Sequence, residues 1–180
     1  MKVLIGYDGS ESAAAALDEV NKIGLPAETK ILLATAGNIG MPPNISIQPA
    51  EVMASRRVAS TMAQLHSQTA QVFKQAEEML RLAAGQITED FPNRRVNIEY
   101  LKGDAASEII LRAAEWKADL IIVGRQNRSA LGRLFLGSVS QKIVAEAKCS
   151  VRVARGSAVL DKNAPRRVVA GVDSSQSVHL

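Results

Sequence analysis

The sequence predicts an α/β fold: an open five-stranded parallel sheet with helices on both faces, of Rossmann-like type. Three observations point there. Short apolar runs rich in Val, Ile and Leu alternate with longer segments of helical period up to Ala154. Aromatic residues make up only 3% of the chain, so the core is aliphatic and alanine-rich, as suits helices laid on strands buried on both sides. Finally, the strand-like run Asp119-Leu120-Ile121-Ile122-Val123 ends in Gly124 and feeds a glycine-containing loop that leads into a helix-like run.

In chain order, Lys2 to Tyr7 is a short apolar run and reads as the first strand. Ser10 to Ile23 has helical period, with Ala13, Leu17 and Val20 on one face. Lys30 to Thr35 is the second strand. Residues 36–49 contain Gly, Pro and Asn without a clear period and read as a surface insertion, whether a lid, a partner surface or a passive loop. A long helix is expected from about Pro49 to Ala84. Its positions Val58, Met62, Leu65, Thr69, Val72, Ala76, Met79 and Ala83 are spaced four and three alternately and predict a core-facing stripe. Arg95 to Leu101 alternates like a strand. Ala105 to Trp116 reads as a helix capped by Asp104, with Ile109, Ile110 and Ala113 inward. Leu120 to Val123, a helix from Ser138 to Ala147 and a strand from Ser150 to Ala154 complete the series. Strands joined by helices imply right-handed crossovers and a parallel sheet. Ligands of such sheets bind beyond the C-terminal strand ends, at the point where strand order reverses.

Composition narrows the function classes. A net charge of +4 is read as a solvated basic surface, not as a nucleic-acid footprint. The single cysteine, Cys149, allows no intramolecular disulfide and lies in an apolar run, as a small packed hydrophobe does. No segment reaches the roughly 18 apolar residues that span a bilayer, and the N-terminus reaches Asp8 too soon to hold a signal-peptide core. The expectation is a cytoplasmic chain with no membrane partner.

The loop from Gly124 to Ser140 carries the most chemistry. A strand that ends in a glycine turn and leads into a helix N-terminus offers free backbone N–H groups and the positive end of the helix dipole. Ser138 and Ser140 sit at that helix start, and Arg125, Arg128 and Arg133 stand ready to add charge beside a phosphate. A phosphate-bearing ligand is the reading, with a plain solvated loop as its alternative. Asp8-Gly9-Ser10, after the first strand, is the second candidate loop. It reads either as a ligand contact or as a turn and helix cap.

Residues 155–165 are polar and read as a linker. Beyond it, Arg167-Val168-Val169-Ala170-Gly171-Val172-Asp173-Ser174-Ser175 repeats the order of Lys2-Val3-Leu4-Ile5-Gly6-Tyr7-Asp8-Gly9-Ser10. The expected organisation is a unit at 1–154, a linker at 155–165, and at 166–180 the first strand and turn of a second, truncated repeat.

Several pieces together resemble the universal stress protein family over residues 1 to about 154. They are Val3-Leu4-Ile5-Gly6-Tyr7-Asp8-Gly9-Ser10, Ala118 to Gly124 with the following loop, Leu136-Gly137-Ser138-Val139-Ser140, and Cys149-Ser150-Val151-Arg152-Val153. The family's nucleotide signature is a glycine, two residues, a second glycine, nine residues, then Gly-Ser or Gly-Thr. Gly124 and Gly137-Ser138 match it, while Asn127 replaces the second glycine. Asparagine tolerates the left-handed backbone, but its side chain crowds a phosphate that needs close approach.

The resemblance implies ATP or another adenine nucleotide, with or without Mg. It sets Asp8 against the ribose and Thr35 in the adenine pocket, and Val123 and Gly124 under base and ribose. Asn127, Gly137, Ser138, Val139 and Ser140 would surround the phosphates. It also implies a homodimer, or pairing with a second family unit, through strand 150–154. Two readings stay open, an adenine-nucleotide-binding regulatory module in stress response and a nucleotide-free dimerisation or interaction scaffold. An enzyme, at most a slow ATPase, is the weakest. The chain has no G-x-x-x-x-G-K-[ST] loop and no Ser-Gly-Gly after the first strand. His66 and His179 do not make a site, and no metal-ligand spacing occurs.

Overall fold

The computed structural model describes residues 1–37, 56–125 and 136–154, without the side chains of residues 21 and 56–66. The elements in chain order are β1 (Lys2–Gly6), α1 (Glu11–Lys22), β2 (Lys30–Gly37), α2 (Arg56–Asp90) and β3 (Arg95–Lys102). Then follow α3 (Ala105–Trp116), β4 (Leu120–Gly124), α4 (Ser138–Glu146) and β5 (Ser150–Ala154). The strands form one sheet in the order β3-β2-β1-β4-β5, every pair parallel. The expected fold class holds. Strand order reverses around β1, whose Gly6 pairs with Ala34 on one side and Val123 on the other.

Alternation along the strands builds the two layers. Val3 and Ile5 of β1 face one way with Ile31, Leu33 and Ile122, and meet Ala16, Val20, Leu80 and Ile87 from α1 and α2. Leu4 faces the other way with Leu32, Ala34, Ile121 and Val123, and meets Ile109, Ala113 and Ile143 from α3 and α4. Val3, Leu4, Ile5, Ile121 and Ile122 are all fully buried. Each such aliphatic side chain contributes about 1.5–3 kcal/mol of burial, and that is what holds helices to both faces. Cys149 is half-buried beside the second layer and burial pushes its thiol up, so it packs there as expected.

Two boundaries differ from the sequence expectation. β2 runs two residues past Thr35, because Ala36 and Gly37 continue the ladder opposite Leu101 and Lys102. The insertion therefore starts later, and residues 38–55 lie outside the described residues. Helix α2 extends beyond Ala84 to Asp90, since its inward face continues through Ile87. Pro92, just beyond, disfavours helix in the residue before it.

The α2 stripe is also only partly core. Ala83 is buried and Ala76 and Met79 are half-buried, but Val72 is 46% exposed. Phe73, Leu80 and Ile87 complete the packed face. Periodicity identifies a helix face; it does not say where the sheet beneath that face ends. The linker at 155–165 and the repeat at 166–180 lie outside the described residues.

Candidate functional site

Helices α1, α3 and α4 begin at the C-terminal edge of the sheet, and they begin differently. α1 is capped by Ser10, whose hydroxyl accepts the Ala13 N–H at 3.2 Å. α3 is capped by Asp104, whose Oδ1 accepts the Ser107 N–H at 3.1 Å and its hydroxyl at 2.6 Å. These bonds, with Lys142 Nζ 3.3 Å away, hold the Asp104 carboxyl below the usual carboxylate range. α4 starts at Gly137 with no side-chain cap. Its first N–H groups have no intrahelical partner, and the positive end of its dipole faces outward.

Between these helix starts lies a cleft of about 600 Å³, its open mouth included. Its lining mixes apolar surface with a few polar groups, the character of small-ligand sites. Ala34, Ala36, Ile109 and Val123 line it with apolar surface; Asp8, Thr35, Ser10, Ser12 and Ser140 add polar groups. The β1 rim is tied internally. Asp8 Oδ1 accepts the Ser10 N–H at 3.0 Å and the Ser10 hydroxyl at 2.6 Å, and the Ser10 and Ser12 hydroxyls lie 2.9 Å apart. Gly9 in this turn has φ +77°, and a Cβ there would lie 2.7 Å from Met79 Sδ, so the turn requires glycine.

On the other rim, Gly124 is glycine for a reason that precedes any ligand. A Cβ there would fall 2.0 Å from the Ser12 carbonyl oxygen and 2.8 Å from the Ala13 nitrogen. The first turn of α1 thus rests directly on the end of β4. The ladder ends with Arg125 N–H donating to Ala154 O at 2.9 Å.

Of the residues singled out from the sequence, Asp8, Thr35, Val123, Gly124, Gly137, Val139 and Ser140 line this one cleft. They come from four separate segments, brought together by strand order. Ser138 is exposed at the helix start and does not line the cleft. Ser140 also departs from the reading in which its hydroxyl meets an anion. It is 3% exposed, and its hydroxyl donates to the Gly124 carbonyl at 2.9 Å, latching α4 to the strand end. Asn127, Arg128 and Arg133 lie outside the described residues; Arg125 is half-buried at the strand end.

Sequence reasoning missed Tyr7, Ser12, Ala36, Ala105 and Ile109 in the lining. Ala105 and Ile109 were legible as the start of a capped helix. Only the placement of β2 next to β1 turns that helix start toward the cleft. No group of three or more His, Cys, Asp or Glu residues that could hold a metal ion occurs among the described residues, and no described helix is long and apolar enough to cross a membrane.

The model of the universal stress protein family matches residues 1–155. A universal stress protein of Thermus aquaticus, from the 3' region of a sulfhydrylase, is 51% identical over 55 residues, which is 31% of this chain and 40% of that protein. The chain therefore matches well under two thirds of that relative's length. Universal stress protein Sll1388 of Synechocystis sp. is 26% identical over 152 residues, covering 84% of this chain and 96% of that one. The crystal structure of a universal stress protein family protein from Arabidopsis thaliana with AMP bound superposes with a TM-score of 0.57 at 19% identity. That similarity covers 88% of this chain and 93% of that one and speaks to the fold.

Proposed function

The chain belongs to the universal stress protein family, and from that premise we propose that it is an adenine-nucleotide-binding regulatory module of stress response. The observation that carries the proposal is the cleft at the strand-order reversal, bounded by a helix start that its own side chains leave uncapped. Ala34, Ala36, Ile109 and Val123 give the apolar walls a base requires, and Thr35 at their edge supplies one directional polar group. Asp8 keeps Oδ2 for ribose hydroxyls while Oδ1 is held by Ser10. The α4 N-terminus receives phosphate through backbone N–H groups of Ser138 and Val139, with Arg125, Arg128 and Arg133 adding charge. AMP bound to the Arabidopsis relative supports the class of ligand. ATP, with or without Mg, stays within the proposal, as does pairing with a second unit through β5, which is an edge strand.

A nucleotide-free scaffold is the second reading. It is favoured by the use of Asp8 Oδ1 and the Ser140 hydroxyl for internal bonds and by Asn127 in place of glycine. Mass spectrometry of small molecules released from the purified protein, with equilibrium dialysis against ATP and AMP, separates the two. Retained or added adenine nucleotide, displaced by AMP and not by uridine, is the expected result. No retention and no uptake at millimolar ATP by folded protein establishes the scaffold.

A further inference from the structure

The turn after β1 has two sides. Tyr7, Asp8 and Ser10 line the cleft, while Gly9 between them does not. Gly9 turns instead toward α2, where Met79 fills the place of its missing side chain. A Cβ on Gly9 would fall 2.7 Å from Met79 Sδ and 3.6 Å from its Cγ. The thioether therefore lies against the back of the turn whose front carries Asp8 and Ser10. Packing along α2 sets it at this height. The Phe73 ring meets the Tyr100 ring edge-on at 4.6 Å, and Tyr100 donates to the Gly37 carbonyl at 3.0 Å. Phe73 thus stands beside the last residues of β2 and β3. Leu80, Ala83 and Ile87 are then buried against the sheet, and Met79, just before Leu80, comes to the end of β1.

The turn has little else to hold it on that side. Gly9 has φ +77°, a conformation that glycine enters freely and also leaves freely. On the cleft side, the Ser10 N–H and hydroxyl both donate to Asp8 Oδ1, at 3.0 and 2.6 Å. Those bonds tie Asp8 to the start of α1. They are exposed, so water competes for both groups, and they leave Gly9 itself unheld. Met79 supplies the contact from behind. An unbranched thioether fills an irregular gap of this kind. Met79 is half-buried and, like Tyr7, packs against the first-layer core, so α2 presents it at a fixed place.

We propose that Met79 is a positioning residue of the nucleotide site. It props the Gly9 turn from α2 and so aims the Oδ2 of Asp8 at the ribose hydroxyls. The ligand in this inference rests on the proposed function; the contact between Met79 and the turn does not. Met79 does not line the cleft and acts through Asp8. Its influence falls on the ribose end, because the phosphate end is built by the α4 start on the other rim.

The test uses the full chain and three variants: Met79→Ala, Met79→Leu, and Ile87→Val as a control that loosens the same helix away from the turn. A ribose hydroxyl on a carboxylate is a charge-assisted bond, so the wild type is expected to bind ATP about tenfold or more tighter than 2′-deoxy-ATP or 3′-deoxy-ATP. Met79→Ala is expected to reduce that preference to about twofold or less, while Met79→Leu and Ile87→Val keep it. General loss of stability weakens ATP and its deoxy analogues alike and leaves the ratio unmoved. Without ligand, the backbone ¹⁵N order parameter of Gly9 is expected to fall from about 0.85 to below roughly 0.6 in Met79→Ala alone. A wild-type preference retained by Met79→Ala overturns the proposal, as does a wild type indifferent to both ribose hydroxyls or a Gly9 order parameter that does not change. If the folded wild type takes up no nucleotide, the proposed function fails and the order parameter decides the prop: a fall at Gly9 upholds it, and an unchanged value overturns it.

Discussion

The two rims of the cleft are built from the same motif, strand then turn then helix, and they finish it in opposite ways. At the β1 rim, Asp8, Ser10 and Ser12 form a closed set of hydrogen bonds that satisfies the turn and caps α1. At the β4 rim, Gly124 and Gly137 remove side chains where the first rim uses them, and α4 begins without a cap. A helix start that its own side chains satisfy has little left for a ligand. One that they leave open has N–H groups and a dipole end to offer. In the proposed function, the β1 rim would supply shape and orientation and the β4 rim anion recognition.

The largest way to break that comparison is Gly124→Ala. The new methyl would overlap the α1 backbone at Ser12, where neither element can shift without unseating the other. We expect a loss of at least about 3 kcal/mol, read as a collapsed urea midpoint or failure to fold. Ser140→Ala follows. It removes the hydroxyl that donates to the Gly124 carbonyl and leaves that acceptor without its latch, for a loss of about 1–3 kcal/mol in chemical denaturation. Ser10→Ala removes the α1 cap and costs about 1 kcal/mol by the same measurement.

Gly137→Ser sharpens the comparison from the other side. It gives α4 the kind of cap α1 has, changes stability by a few tenths of a kcal/mol, and is expected to weaken nucleotide binding because the new hydroxyl occupies the N–H groups. Stability unchanged and affinity unchanged would remove the link between the open cap and the ligand. The smallest effect is in acid. The depressed Asp104 carboxyl contributes stability that is present above the ordinary carboxylate range and lost as pH falls through its lowered value. Asp104→Asn should flatten that part of a plot of thermal midpoint against pH.

The fold was legible because β1, β2 and β4 are rich in consecutive aliphatic residues, β3 and β5 alternate, and α1 and α3 carry their own caps. Asp104 before Ala105 predicted the α3 cap to the residue. The α2 stripe was legible as a face and misassigned in extent, since nothing between Val58 and Val72 records that the sheet stops near Phe73. At the site, the βα turns after β1 and β4 were recognisable by Asp8, Gly124 and Gly137, and β2's contribution by Thr35. Ala105, Ile109 and Ala36 carry no polar signal and enter the cleft only through strand order. The direction of the Ser140 hydroxyl was equally hidden: a serine in the first turn of a helix reads as a ligand group until a carbonyl is found beneath it.

The central claim is that an adenine nucleotide sits between the two rims with its phosphate on α4. The most direct measurement is a titration of ¹⁵N-labelled protein with ATP followed by amide chemical shifts. We predict saturable shifts at Thr35, Gly124, Gly137, Ser138 and Val139, with the amides of β5 and the C-terminal half of α2 unmoved. Amide shifts that stay flat to millimolar ATP, or that map away from the Gly137 helix start, would contradict it.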